Sequence, residues 1–209
     1  CGLGPLRLFE TMADKAAPIG AACAAIVIYK VGFPSSLFSY HPTLLGLGWL
    51  AITPYAVHKL RESKTESTKE GKEAKVQTHA LLNWVNFGLT VGGLYAIWKN
   101  KENMAAKKGE IAKHLVSRHG KSGFMSACLA TAAMVVAIFK TQTSKGQPWR
   151  NKLHRALGAS SYLVAGVSMA IMVNGPWGKR SLGENGQKAF LAAILACQGL
   201  VAAPAFGLA

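Results

Sequence analysis

Residues 78–98, THALLNWVNFGLTVGGLYAIW, decide the fold class of this chain, because they contain no Lys, Arg, Asp or Glu. A bilayer has a hydrocarbon core about 30 Å thick, which about 20 helical residues span. Lipid offers no hydrogen-bond partner to an exposed backbone, so a helix is the structure that satisfies the N–H and C=O groups of such a stretch. The stretch therefore predicts a transmembrane helix.

Five more apolar stretches lie on either side of this one. They cover residues 16–33, 41–58, 120–139, 154–174 and 189–209. Half of all residues are hydrophobic, and the 24 Lys and Arg and 9 Asp and Glu fall mostly between the stretches. The stretches lack the polar alternation of barrel strands. The sequence predicts an all-α fold: a six-helix transmembrane bundle with a central four-helix core.

The domain organisation follows from these stretches. Residues 1–15 form a polar N-terminal lead, and residues 16–209 form a single transmembrane domain. The start at Cys1 leaves open a removed targeting segment. The charged connection 59–77 predicts a flexible loop, and the basic connection 99–118 predicts a short interfacial helix. The net charge of +15 is interpreted as topology signals and contacts with anionic lipid, not with nucleic acid.

Four of the six histidines stand at the starts of consecutive predicted spans: His41, His79, His119 and His154. Consecutive spans run in opposite directions. His41 and His119 therefore face one membrane surface, and His79 and His154 face the other. The pattern predicts two histidine pairs, one near each surface.

Ionisable groups within a bilayer are costly and usually mark function. A haem iron held by two axial histidines needs two facing imidazoles, whereas zinc prefers three or four ligands. A proton relay favours carboxylates beside the histidines, and the spans contain almost none. The structural alternative is a set of interfacial histidines that only flank the spans. That interpretation is preferred for His58 and His114, which lie at the ends of connections.

Several short motifs surround these histidines. Phe38-Ser-Tyr-His-Pro42 is similar to an FSWHP-type signature, and Gln77-Thr-His79 opens the next span. His114-Leu-Val-Ser-Arg-His-Gly120 is similar to an HLVTRHG-type run, and Leu153-His-Arg-Ala-Leu-Gly158 opens the fifth span. In their order and spacing, the motifs resemble the short, domain-only members of the cytochrome b561 family. The resemblance covers about residues 20–205.

The resemblance implies six helices and two b-type haems in the four central spans. It implies a transmembrane oxidoreductase that passes single electrons from ascorbate to monodehydroascorbate or a ferric acceptor. Axial ligand roles carry over to His41, His79, His119 and His154. Thr78 and Arg155 are candidate partners of the ligands or of the haem propionates, and Lys75 and Arg150 are candidate substrate residues. Gln77 stands where the family has a lysine, and 117–121, SRHGK, replaces the SLHSW-type motif of ascorbate-using members.

Two other interpretations stay open. The chain could be a structural or accessory subunit of a larger organellar membrane complex that retains the fold. A transporter would favour broken helices in paired positions, and only Pro54 and Pro204 interrupt the spans. The predicted partners are membrane lipid, a small-molecule electron donor and other subunits of a membrane complex. The predicted location is a multi-pass protein of an organellar membrane or endomembrane.

Overall fold

The computed structural model describes residues 15–143 and 152–202, and every regular element within these ranges is a helix. Because α2, a π-helical turn and α3 follow one another without a break, the elements form six helical rods, in agreement with the prediction. The elements are α1 (Ala16–Val31), α2 (Leu37–Gly46), the π-helical turn (Leu47–Ile52), α3 (Thr53–Thr65), α4 (Lys69–Lys108), α5 (Arg118–Thr143), α6 (Lys152–Asn174) and α7 (Pro176–Ala202).

Three helical segments are long and apolar enough to cross a membrane: Lys69–Lys108, Arg118–Phe139 and Lys152–Asn174. Ala16–Val31 is a shorter apolar helix. These three segments contain the predicted spans 78–98, 120–139 and 154–174. The all-helical class and the membrane-spanning character of the chain are therefore confirmed.

The predicted flexible loop at residues 59–77 was wrong, because most of it is helical. The helix α3 continues to Thr65, and α4 begins only four residues later. Two side chains order the turn between them. The Thr68 hydroxyl caps α4 by accepting the Gly71 N–H at 3.1 Å. The Glu66 carboxylate accepts the N–H groups of Ser67 and Thr68 at 3.0 and 3.3 Å. A charged segment can thus be ordered by its own caps.

The predicted interfacial helix within residues 99–118 was also wrong, because α4 itself continues to Lys108. It ends at Gly109, whose φ of +67° is the left-handed conformation that a helix terminus commonly places on glycine. A helix of 40 residues is about 60 Å long at a rise of 1.5 Å per residue. That is about twice the hydrocarbon thickness, so α4 extends beyond the lipid core.

The last helix begins earlier than the apolar pattern indicates. The helix α7 starts at Pro176, well before residue 189, and contains a break at Gly183, where φ is +68° and ψ is 173°. The proline suits the first helical position, where its missing N–H is not needed. The apolar stretch thus corresponds to the part of α7 that follows the break. Its end, like residues 1–14, lies outside the described residues.

The chain divides into two compact units, Cys1–His114 and Leu115–Ala209. In the first unit, α2, the π-helical turn and α3 pack along α4, and α1 packs on α2 and the π-helical turn. Buried polar contacts join the two sides. The Trp49 indole donates to the Thr90 hydroxyl at 3.1 Å, and the Asn86 amide donates to the Thr53 hydroxyl at 2.9 Å. These contacts fix the π-helical turn against α4.

In the second unit, α6 packs against both α5 and α7. Its core contains Tyr162 and Ile194, which are 1% and 0% exposed. The Ser126 hydroxyl on α5 donates to the Ser161 carbonyl on α6 at 2.8 Å. A hydroxyl–carbonyl contact of this kind lets two helices approach closely in a membrane.

Candidate functional site

The four histidines at the predicted span starts share one arrangement. Each is half-buried, and each donates its Nδ1–H to a backbone carbonyl of a neighbouring helix in its own unit. The Nδ1–O distances are 3.0 Å from His41 to Gly93, 2.9 Å from His79 to Ala56, 2.9 Å from His119 to Ser168 and 2.9 Å from His154 to Ala133. The agreement of four independent contacts sets these histidines apart from the other two.

Local sequence places the first of these histidines. Ser36 and Ser39 form a reciprocal capping box that starts α2, and His41 follows in the next turn. The partner carbonyl belongs to Gly93 on α4. A Cβ at that position would lie 3.3 Å from the His41 carbonyl and 3.1 Å from Leu45. Glycine therefore lets the two helices approach closely enough for the imidazole to reach the carbonyl.

The partner type determines which ring nitrogen carries the proton. A carbonyl oxygen can only accept a hydrogen bond, so Nδ1 is the protonated nitrogen in all four rings. In a neutral imidazole the lone pair then lies on Nε2. Metal-ligating histidines have this arrangement, with one N–H donated to a carbonyl or carboxylate and the other nitrogen on the metal. The four side chains therefore fit the predicted role of axial ligands.

The contacts repeat from one unit to the other. The carbonyl that receives His41 lies 14 residues after His79, and the one that receives His119 lies 14 residues after His154. In the opposite direction the spacing is 15 residues in the first unit and 14 in the second. The first unit contains the π-helical turn, which holds one more residue per turn than an α-helix. Each unit is thus a helical hairpin with one histidine toward each end.

The spacing separates the two histidines of a hairpin in depth. Fourteen residues of α-helix rise about 21 Å. Axial nitrogens on one iron lie about 4 Å apart if each metal–nitrogen bond is about 2 Å. The two histidines of one hairpin therefore cannot ligate the same iron. They belong to two different centres.

The remaining histidines have other environments. The His58 Nε2 lies 3.1 Å from a carboxylate oxygen of Glu62, one helical turn along α3. The His114 ring stacks on Trp98, with centroids 3.5 Å apart. Neither contact resembles the Nδ1–carbonyl arrangement.

The other predicted site residues lie near the histidines in sequence. The Thr78 hydroxyl donates to the Ala74 carbonyl of its own helix at 2.8 Å, and Arg155 is exposed at the start of α6. Lys75 forms an ion pair with Glu66 at 2.9 Å. This hydrogen bond and those from the turn backbone lower the pKa of Glu66 to about 2. Arg150 lies outside the described residues.

Sequence reasoning missed two residues beside the histidines. The Asn83 amide donates to the His79 carbonyl at 2.7 Å and lies 3.3 Å from the His79 Nε2. It stands four residues after His79 on α4, a spacing that places side chains on one helix face and could have indicated the contact. Ser168 contacts His119 from a different helix, and no local spacing predicts it.

Membrane-spanning helices that hold four imidazoles through Nδ1 define a class of protein, the membrane proteins that present histidine nitrogens as ligands. The family model described as eukaryotic cytochrome b561 matches residues 40–175, which include all four histidines. The chain belongs to the cytochrome b561 family, as the motifs predicted. It is an integral membrane protein of a family that binds b-type haem, generally two per chain, and transfers electrons across membranes. Searches of curated proteins and of solved structures each gave no match.

Proposed function

We propose that this chain is a di-haem cytochrome with six transmembrane helices that transfers single electrons between the two faces of its membrane. The observation that carries the proposal is the Nδ1–carbonyl hydrogen bond shared by His41, His79, His119 and His154. Interfacial histidines that only flank spans have no reason to share one tautomer and one kind of partner. Axial ligands have such a reason, because a fixed Nδ1–H directs Nε2 to the iron.

The pairing of the ligands follows from two arguments. The separation of about 21 Å within a hairpin excludes a pair drawn from one hairpin. Each iron then takes one histidine from each hairpin. Because consecutive spans alternate in direction, His41 shares a membrane surface with His119, and His79 shares the other with His154. We assign the two haems to these two pairs.

The chain would contribute position, insulation and tuning to electron transfer. When bound, the haem supplies a centre that accepts and releases one electron. The backbone carbonyls hold each imidazole plane and increase the electron density on Nε2. The helices would keep the two centres at separate depths and exclude water between them. Arg155, next to His154, and Thr78, next to His79, are the proposed partners of the haem propionates.

The proposed electron donor is an ascorbate-type anion, and the acceptor is monodehydroascorbate or a ferric chelate. Lys75 and Arg150 are the proposed basic residues for the donor. The Lys75 ammonium already contacts the Glu66 carboxylate, so an anionic donor would compete with Glu66 for it. This competition would weaken the donor site relative to one with an unpaired lysine.

The test is a pyridine haemochrome assay on the purified full chain, with a reduced-minus-oxidised spectrum. Two haems per chain are expected, and one is expected after replacement of any one of His41, His79, His119 and His154 by Ala. His58→Ala is the matched control and should retain both haems. Absence of haem from the wild-type chain would reject the proposal and favour the accessory-subunit alternative.

A further inference from the structure

The contacts of Ser168 distinguish His119 from the other three histidines. The Ser168 backbone carbonyl accepts the His119 Nδ1–H at 2.9 Å, and the Ser168 hydroxyl oxygen lies 2.9 Å from the same nitrogen. The hydroxyl also donates its proton to the His119 backbone carbonyl at 3.0 Å. Ser168 is 4% exposed, so water does not compete strongly for these bonds. One residue thus holds both the ring and the backbone of His119.

The direction of the hydroxyl proton determines what the ring experiences. A serine hydroxyl has one proton and two acceptor lone pairs. Because the proton is donated to the His119 carbonyl, the hydroxyl oxygen can act only as an acceptor toward Nδ1. The Nδ1–H is therefore shared between two oxygens of Ser168, where His41, His79 and His154 each donate to a carbonyl of Gly or Ala.

The packing around Ser168 is adapted to its side chain. Gly123, one helical turn after His119 on α5, faces it, and a Cβ at Gly123 would lie 3.3 Å from the Ser168 hydroxyl. At the equivalent position of the first hairpin stands Gly93, where a Cβ would be crowded by Leu45 and the His41 carbonyl. The hairpins thus exchange a small residue between the two sides of the contact, and only the second one accommodates a hydroxyl.

We propose that Ser168 is a positioning residue for His119, and that its hydroxyl lowers the midpoint potential of the haem that His119 ligates. This inference rests on the proposed function. A second acceptor on Nδ1–H increases the electron density on Nε2, which favours the ferric over the ferrous iron. It also fixes the plane of the imidazole, which determines the low-spin ferric spectrum. The two haems of the chain then differ in potential because of this residue.

The experiment compares Ser168→Ala with wild type in the purified, haem-loaded full chain. Three measurements are made: haem content, a redox titration that resolves both components, and electron paramagnetic resonance of the ferric state. Ser168→Ala should raise the midpoint potential of one component, shift its g-values and leave the other component unchanged. Loss of an outer hydrogen-bond partner typically weakens metal binding 10–100-fold, so that haem should also dissociate about 10-fold faster.

Matched variants separate positioning from general loosening of the unit. Ser168→Thr keeps the hydroxyl and should restore the wild-type potential. Ser126→Ala removes another buried hydroxyl–carbonyl bond of the same unit, at 2.8 Å, and should shift neither component. Gly123→Ala keeps Ser168 but crowds its hydroxyl, and should shift the same component as Ser168→Ala. This last variant tests the proposal even if Ser168→Ala does not accumulate.

The outcomes distinguish this inference from the function on which it rests. Two haems with unchanged potentials and g-values in Ser168→Ala would overturn the positioning role and leave the cytochrome proposal intact. An equal shift in Ser126→Ala would also overturn it, because the effect would then be nonspecific. A wild-type chain without haem would instead reject the proposed function.

Discussion

The imidazole of His114 lies flat on the indole of Trp98, with ring centroids 3.5 Å apart and ring planes 5° from parallel. The indole N–H donates to Glu102 at 3.1 Å, and Glu102 pairs with Lys99 at 3.0 Å. These contacts attach the segment after α4 to the polar end of that helix. The ring of His114 therefore has a packing role in the structure, although His119 follows it by only five residues.

The first prediction is that His114 is dispensable for haem. Both His114→Phe and His114→Ala should retain two haems per chain, as measured by pyridine haemochrome. His114→Phe keeps an aromatic ring on Trp98, whereas His114→Ala should lose about 0.5 kcal/mol of stability, the lower end for an aromatic pair. Loss of one haem in both variants, with His119→Ala unaffected, would move the ligand to His114.

The second prediction concerns the pairing of ligands. His41→Ala and His119→Ala should remove the same component of the reduced-minus-oxidised spectrum, and His79→Ala and His154→Ala should remove the other. The reason is that the two histidines of one hairpin lie about 21 Å apart along the helix axis. A shared component for His41 and His79 would contradict this threading. In vesicles, loss of either haem should stop electron transfer between the two faces.

The third prediction is a pH dependence of stability that arises from Glu66. The pKa of Glu66 is lowered from 4.5 to about 2, mainly by its hydrogen bond from Lys75 and also by the backbone N–H of Thr68. The native state therefore binds the proton less readily than the unfolded state. The stabilisation by the ionised carboxylate is complete above about pH 4.5 and is lost as the pH falls toward 2.

Thermal unfolding in detergent, followed by circular dichroism, measures this effect. Glu66→Gln should unfold at a lower temperature than wild type at pH 7, and the difference should shrink below pH 4.5. Glu73→Gln is the control, because Glu73 is an exposed carboxylate on the same helix. A difference between Glu66→Gln and wild type that stays constant down to pH 2 would show that charge plays no part.

The fourth prediction concerns the contact between the π-helical turn and α4. A Cβ at Gly48 would overlap the Asn86 side-chain oxygen, and Asn86 is held by its bond to Thr53. Gly48→Ala should therefore destabilise the protein by about 1–3 kcal/mol, as overpacking of a close contact does. Gly199→Ala should be nearly neutral, because nothing lies within 4 Å of a Cβ there. Denaturation in detergent measures both, and equal effects would contradict the contact.

The fifth prediction concerns topology. The rod of α2, the π-helical turn and α3 runs from Leu37 to Thr65, about 43 Å at 1.5 Å per residue, which is long enough to cross the hydrocarbon core. Single cysteines at Ser35 and Ser67 should react with a membrane-impermeant reagent from opposite sides. The exposed Cys128 must first be replaced, because it could react itself. Labelling of both from one side would show that this rod does not cross.

Much of the fold could be predicted because it depends on local composition. Apolar stretches long enough to span a bilayer indicated the helices, and their alternation placed four histidines at span starts. The helix ends were predicted less well. The helix α4 continues beyond its apolar stretch in both directions, because Thr68 and Gly109 end it by capping and hydropathy does not register caps. The charged turn at Glu66 was taken for a flexible loop for the same reason.

The sequence by itself determined the family, the all-helical class and the histidines that belong together. These properties are encoded in residue type and spacing along the chain. The tertiary structure decided which nitrogen of each histidine is fixed, since the acceptor is a backbone carbonyl between 21 and 52 residues away. It also placed Ser168 on His119, 49 residues apart. Every residue has a backbone carbonyl, so only the packing of the helices decides which one meets an imidazole.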